Sequence, residues 1–233
     1  MSWLNRNKYI VGSAIAVALI GFFLYKAFSK NKLGGIALKN KSPKKILFVG
    51  DSISVIVDNN GNKVTSTYPN YVAAELAKTG GTVDVLAKGG QTTRWMLQNL
   101  PSKLGNKFDR VYIYGGVNDA WNTSVKPEEP FNNVQQMVDL INQSGADAYV
   151  IIGYEPEGFM DYKIMGVSRY QTSKEDNIPL IAEYKNYQNE LPKRIKNANF
   201  VPKVNLGNRT KDGIHPNWEG QKLLANAIIN TLN

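Results

Sequence analysis

From residue 45 onward, short apolar segments alternate with longer stretches of helical spacing. Five of the short segments are rich in β-branched and aromatic residues and are bounded by Gly, Asn or Asp, which predicts strands at 45–49, 82–86, 110–114, 148–152 and 199–204. The helical candidates are 68–78, 93–104, 131–144, 178–196 and 217–232. Such alternation is typical of parallel strands joined by crossover helices. It predicts one α/β domain over residues 45–233, built on a five-stranded, mostly parallel sheet.

The turns that follow the predicted strands carry the polar residues of interest. In an open parallel sheet, ligands bind beyond the carboxyl ends of the strands. Four such turns read GDSIS at 50–54, KGGQTT at 88–93, GGVND at 115–119 and DGIHPN at 212–217. The chain has no Cys and one His, which excludes a thiol nucleophile and a zinc centre with several His ligands. Ions bound by carboxylates are still compatible with these counts, but the chemistry expected is that of oxygen side chains and one imidazole, with no metal and no cofactor.

The only histidine suggests how a serine could be activated. Ser52 lies in a glycine-flanked turn where a helix is expected to start, which suits a nucleophile. Asp212 precedes His215 by three residues, so its carboxylate can hold one ring nitrogen while the other accepts the Ser52 proton. The Ser52 amide, a glycine amide of the second turn and the Asn118 side chain are candidate donors to an oxyanion.

In this order, the four turns resemble the four sequence blocks of the SGNH hydrolases, also called the GDSL esterase/lipase family. The resemblance covers residues 45–233 and implies a three-layer, flavodoxin-like sandwich and a serine esterase that forms an acyl-enzyme. It implies the triad Ser52, His215 and Asp212, with the Ser52 amide, Gly90 and Asn118 in the oxyanion hole. Gly90 is preferred to Gly89 because a polar residue and a pair of Thr follow it.

The net charge of +9 lies entirely in the N-terminal part of the chain. The first 45 residues hold nine Lys and Arg and no Asp or Glu, whereas cations and acids balance from residue 46 onward. Because the predicted domain is neutral, we expect no specific nucleic-acid partner; a cationic tail alone gives only salt-sensitive contacts.

An apolar run at 9–28 lies inside this basic region. About 20 such residues are needed to cross a bilayer, so the run predicts a transmembrane helix between a tail at 1–8 and a basic tether at 29–44. The partner of this segment would be the lipid bilayer. A cleaved signal peptide is the alternative, and it is disfavoured because no small-x-small cleavage site follows the run. A buried helix is disfavoured because no polar face interrupts it.

The orientation in the membrane is left open by two opposing arguments. Seven lysines lie from Lys26, near the end of the apolar run, to Lys45, against two cationic side chains before the run, so the positive-inside rule favours an internal domain. The family resemblance favours an extracytoplasmic one. The function expected is a membrane-anchored esterase acting on O-acetyl groups of cell-envelope glycans or, second, on lipid esters. The alternative is a structural or binding component of a membrane-containing assembly, such as a bacterial envelope complex or a lipid-containing virus.

Other features receive a structural interpretation. Asp51 and Asp119 are expected to hydrogen-bond the turns that hold Ser52 and Asn118. The stretch 154–176 has the weakest pattern and is a candidate lid or substrate-contact segment. Burial in the core, or partial burial, is expected of three tryptophans that could instead line a cleft, namely Trp95, Trp121 and Trp218.

Overall fold

The structure is a computed structural model that describes residues 43–56, 61–122, 124–155 and 174–232. The predicted transmembrane helix at 9–28 and most of the predicted lid segment lie outside these residues. Within the described part of the chain, no helix combines the length and apolar character that crossing a membrane requires. The anchor therefore stays a prediction.

Five strands form one sheet in the order β2-β1-β3-β4-β5, and every described strand pair is parallel. The strands are β1 (Lys45–Gly50), β2 (Thr82–Ala87), β3 (Arg110–Tyr114), β4 (Asp147–Ile151) and β5 (Asn199–Val201). This is the strand order of flavodoxin-like folds. The five-stranded parallel α/β architecture expected from the sequence is confirmed.

The burial of each strand follows its place in the sheet. β1 and β3 lie inside the sheet and are covered on both faces, which explains their continuous apolar sequences. The edge strand β2 is only partly buried and tolerates Asp84. The other edge strand, β5, ends at Val201 rather than at 204, because Pro202 has no amide hydrogen to continue the ladder. Beyond it, Val204 forms an isolated bridge with Tyr154.

Seven helices are described: α1 (Tyr68–Ala77), α2 (Thr93–Asn99), α3 (Pro101–Leu104), α4 (Val117–Trp121), α5 (Glu129–Gln143), α6 (Lys174–Arg194) and α7 (Trp218–Ile229). α1 packs against α7, α2 against α5, and α4 against α6. The single helix expected over 93–104 is divided at Pro101, which begins a new short helix. α5 begins before the expected residue 131, because Pro130 suits a first helical turn.

The strand order reverses direction at β1, and this reversal prepares a crevice. β1 pairs with β2 on one side and with β3 on the other, so right-handed connections carry the helices after β1 and β2 to opposite faces. Gly50 is level with Ala87 and with Tyr114, so these three strands end together. The turns after them therefore meet at the point where open α/β sheets bind ligands.

Candidate active site

Ser52, His215 and Asp212 form one continuous chain of hydrogen bonds. Ser52 follows β1, and its Oγ lies 2.9 Å from Nε2 of His215 in the loop before α7. Nδ1 of His215 lies 2.7 Å from Oδ2 of Asp212. A carboxylate can only accept, so Nδ1 carries the proton and Nε2 is left to accept from the serine hydroxyl. The structure thus brings together the three residues that the sequence suggested as a triad.

The loop around Asp212 fixes the imidazole. Oδ1 of Asp212 accepts the amide of Ile214 at 3.0 Å and the amide of His215 at 2.7 Å. The Tyr154 hydroxyl donates to the carbonyl of Ile214, which ties this loop to the residue that follows β4. Burial by itself raises the pKa of Asp212, but the bonds from the ring and amide of His215 outweigh it, so this pKa lies below its usual value. Asp212 is therefore ionised at neutral pH.

The turn that presents Ser52 is held by its buried neighbours. Oδ1 of Asp51 accepts the amide of Ile53 at 3.0 Å, and the hydroxyls of Ser54 and Tyr68 lie 2.7 Å apart. Asp51 and Ser54 are both buried, whereas Ser52 between them is partly exposed. Burial raises the pKa of Asp51 to about 7. Asp51 thus holds its own turn, as the sequence suggested.

Asn118 connects the third turn to the other two. Gly116 lies two residues before it and has a φ of +107°, in the left-handed region. A Cβ at Gly116 would come within 2.2 Å of the Tyr187 ring, so only glycine fits there. Nδ2 of Asn118 donates to the carbonyl of Gln91 at 3.0 Å and lies 3.4 Å from Oδ2 of Asp51. The amide therefore spans the gap between the first and second turns.

Gly90 lies in the second turn, next to the carbonyl that holds Asn118. Its φ is +73°, and a Cβ at this position would meet no atom within 4 Å, so the space beside its Cα atom is open. The same turn is held again at Thr93, whose amide and hydroxyl donate to the carboxylate of Asp119 at 2.9 Å and 2.6 Å. Asp119 thus anchors the second turn, whereas the sequence suggested that it would hold the turn of Asn118 itself.

Two supporting residues, Thr93 and Gln221, were not found by sequence reasoning. The side chain of Gln221 accepts from the amide of Tyr68 at 2.8 Å and donates to the carbonyl of Ile53 at 3.3 Å, so it joins α7 and α1 to the serine turn. Gln221 lies on the stripe of α7 that also buries Leu224, Ala225 and Ile228. A polar residue on an apolar helical face is the signal that could have identified it.

A cleft of about 540 Å³ opens at the serine and histidine. This volume is within the range of small-molecule sites. Its wall includes Trp218, which is 53% exposed, so the burial expected of this tryptophan is wrong. Trp95 and Trp121 are partly buried, as expected. Trp218 is the first residue of α7, and the loop that places His215 also places it at the cleft.

The sequence of this chain matches one family model, that of the GDSL-like lipase/acylhydrolase family, over residues 48–223. No curated protein sequence gives a match. The matched stretch contains all five of the residues that the sequence suggested for the triad and the oxyanion hole.

Solved structures with the same fold include several esterases. A catalytic mutant of an acetylxylan esterase from Geobacillus stearothermophilus is 18% identical, with a TM-score of 0.61 over 84% of this chain and 97% of that one. An alpha/beta hydrolase enzyme from the metagenome of Lake Arreo in Spain is 19% identical, with a TM-score of 0.58 over 81% and 94%. Another acetyl xylan esterase is 16% identical, with a TM-score of 0.58 over 81% and 100%. At these identities the likeness shows the fold.

Proposed function

The chain belongs to the GDSL-like lipase/acylhydrolase family, the SGNH hydrolases, and is a carboxylic ester hydrolase; from this we propose that Ser52, His215 and Asp212 are its catalytic triad. We propose further that it is anchored in a membrane and removes O-acetyl groups from cell-envelope glycans, with lipid esters as the second substrate class. The observation that carries the triad is the hydrogen-bond chain of 2.9 Å and 2.7 Å through the two nitrogens of His215.

The reaction begins with attack of Ser52 Oγ on the ester carbonyl carbon. His215 Nε2 takes the hydroxyl proton, and the ionised Asp212 stabilises the imidazolium that results. When the tetrahedral intermediate collapses, His215 gives the proton to the leaving alcohol oxygen, and the acyl group stays on Ser52. A water molecule, deprotonated by His215, then attacks the acyl-enzyme, which releases the carboxylic acid and restores the serine.

The oxyanion of each intermediate needs donors that are already in position. We assign this role to the amides of Ser52 and Gly90 and to Nδ2 of Asn118. One hydrogen of Nδ2 is held by the Gln91 carbonyl at 3.0 Å, which fixes the direction of the amide. The other meets Asp51 at 3.4 Å, a distance beyond good hydrogen-bond geometry, and this contact is the one that an oxyanion can replace.

The substrate proposal rests on the cleft and on the fold relatives. The cleft is larger than an acetyl group needs, which leaves room for part of the alcohol side of the ester. Two of the similar structures are acetylxylan esterases, so their fold is compatible with an acetylated glycan as substrate. An envelope glycan is preferred because the apolar run at 9–28 would keep the domain close to a membrane.

The catalytic proposal is tested with a serine-directed phosphonate probe and short acyl esters on the full-length chain in detergent. Labelling and turnover are expected of the wild type and not of Ser52→Ala. Ser102→Ala is the matched control, because Ser102 is an exposed serine that does not line the cleft and should leave both signals intact. Asn118→Ala should lower kcat about 10²- to 10³-fold with little change in KM. A wild type that neither labels nor turns over contradicts the proposal.

The anchor is tested separately by membrane fractionation. The full-length chain should stay in the membrane pellet after alkaline extraction and require detergent for release, whereas a chain lacking residues 1–42 should be released without it. Protease treatment of sealed vesicles then tells on which side the domain lies. Release of the full-length chain by alkali alone contradicts the anchor and leaves the esterase proposal untouched.

A further inference from the structure

Trp218 is the exposed large apolar side chain of the described residues. With 53% of its surface exposed, it forms part of the wall of the cleft that contains Ser52 and His215. Burying an apolar ring of this size is favourable, so leaving it exposed to water forgoes that free energy. An exposed aromatic ring beside a reactive serine is therefore typical of a contact surface for a substrate.

The ring is held in place rather than left to rotate freely. Asn217 caps α7 by accepting the amides of Glu219 and Gly220, each at 3.0 Å, which fixes the backbone at Trp218. The ammonium of Lys222, one helical turn further, lies 4.6 Å from the centre of the indole ring. This cation–π contact restrains the side chain, so less entropy is lost when a ligand packs on it.

The cleft wall around Trp218 mixes apolar and polar groups. The lining includes the apolar residues Val55, Val64 and Pro216 and the polar residues Ser66, Asn217 and Lys211. Lys211 is exposed and makes no ion pair in the described part of the chain, so its ammonium is available to an oxygen of a ligand.

We propose that Trp218 is the platform of a sugar subsite, on which the pyranose ring that carries the ester stacks while its acyl group reaches Ser52. A pyranose has a face of C–H groups and an edge of hydroxyls, and the residues that line the cleft combine an aromatic ring with hydroxyl, amide and ammonium groups. This inference rests on the proposed function, and it makes Trp218 a residue that determines specificity rather than a catalytic residue.

The test compares two acetate esters that differ in the alcohol. Per-O-acetylated methyl xyloside presents a pyranose ring, whereas ethyl acetate presents the same acyl group without a ring. In Trp218→Ala, the ratio of kcat/KM for the sugar to kcat/KM for ethyl acetate should fall roughly three- to tenfold, as expected for one lost stacking contact. Trp218→Phe keeps an aromatic face and should recover most of the ratio.

Glu219→Ala is the matched control, because Glu219 is the next exposed residue of α7 and does not line the cleft. It should leave the ratio unchanged. A ratio that Trp218→Ala does not alter would overturn the subsite, and so would an equal loss with ethyl decanoate, which would assign the ring to an acyl chain. Failure of the wild type on every ester is a different result, because it overturns the proposed function first.

Discussion

The turns at Asp51 and Asp212 are built alike and yet hold their carboxylates in opposite states. In each, Oδ1 accepts the amide two residues onward at 3.0 Å, and in each the aspartate is buried. Burial raises the pKa of Asp51 to about 7, whereas Asp212 has a pKa below its usual value. The local turn geometry therefore does not decide the charge.

Two differences account for this: Asp51 is the more deeply buried of the two, and different groups face the second oxygen of each carboxylate. Oδ2 of Asp212 meets the ring of His215 at 2.7 Å, and the amide of His215 binds its other oxygen. Oδ2 of Asp51 lies 3.4 Å from the neutral amide of Asn118. A close donor that can carry a positive charge outweighs the cost of burial, and a distant neutral one does not. One turn thus supplies an ionised carboxylate to the proposed triad, and the other mainly shapes the backbone at Ser52.

The largest expected effect separates the two aspartates by activity. Asp212→Asn should lower kcat about 10³- to 10⁴-fold, because an amide at this position no longer fixes the tautomer of His215 or stabilises its cation. Asp51→Asn should lower kcat at most about tenfold, because Asp51 is already partly protonated near pH 7. Initial rates on a short acyl ester at neutral pH measure both. Equal losses in the two variants would contradict the division of roles.

The second prediction separates them by the pH dependence of stability. The pKa of Asp51 rises on folding to about 7, so between about pH 4 and 7 the folded state binds more protons than the unfolded state. The free energy of unfolding contributed by Asp51 therefore falls as pH rises through this window. Asp51→Asn should be more stable than the wild type at about pH 8, by up to about 4 kcal/mol, and this advantage should vanish toward pH 4.

Asp212 should show the opposite sign. Its pKa falls on folding, so its stabilisation is fully present above the pKa of the unfolded chain and is lost as pH falls through the lower, folded value. Asp212→Asn should therefore be less stable than the wild type at neutral pH, and the deficit should shrink in acid. Urea unfolding at a series of pH values, followed by tryptophan fluorescence, measures both differences. If the stability difference from the wild type changed with pH in the same direction in both variants, the contrast between the two aspartates would be wrong.

The sequence predicted the architecture because its signals are local. Strand and helix periods, and the Gly, Asn and Asp residues between them, placed all five strands and the turns that hold Ser52, Asn118 and His215. Element ends were less predictable, since Pro101 and Pro202 act through single missing amide hydrogens.

Features that depend on distant partners could not be predicted from the sequence. The contact of Thr93 with Asp119 joins residues 26 positions apart, and that of Gln221 with Ile53 joins residues 168 positions apart. The exposure of Trp218 depends on how the loop before α7 meets the serine turn, which no local pattern encodes. Roles in catalysis, the predicted anchor at 9–28 and the tether remain to be tested by the experiments above.

The smallest expected effect comes from a third buried aspartate, Asp119, which tests whether neutral donors can offset burial. It accepts two bonds from Thr93, and its pKa is nevertheless raised, mainly by burial. Thr93→Val keeps the amide donor and removes the hydroxyl, so it should raise this pKa further and destabilise the fold by about 1–2 kcal/mol near pH 8. The loss should shrink as the pH falls through the raised pKa of Asp119, because a protonated carboxyl group needs the donor less. Thr79→Val is the control, because the Thr79 hydroxyl donates to a backbone carbonyl and its loss should not depend on pH. A pH-independent loss in Thr93→Val would mean that the hydroxyl matters for packing alone, and that charge at Asp119 plays no part in holding the second turn.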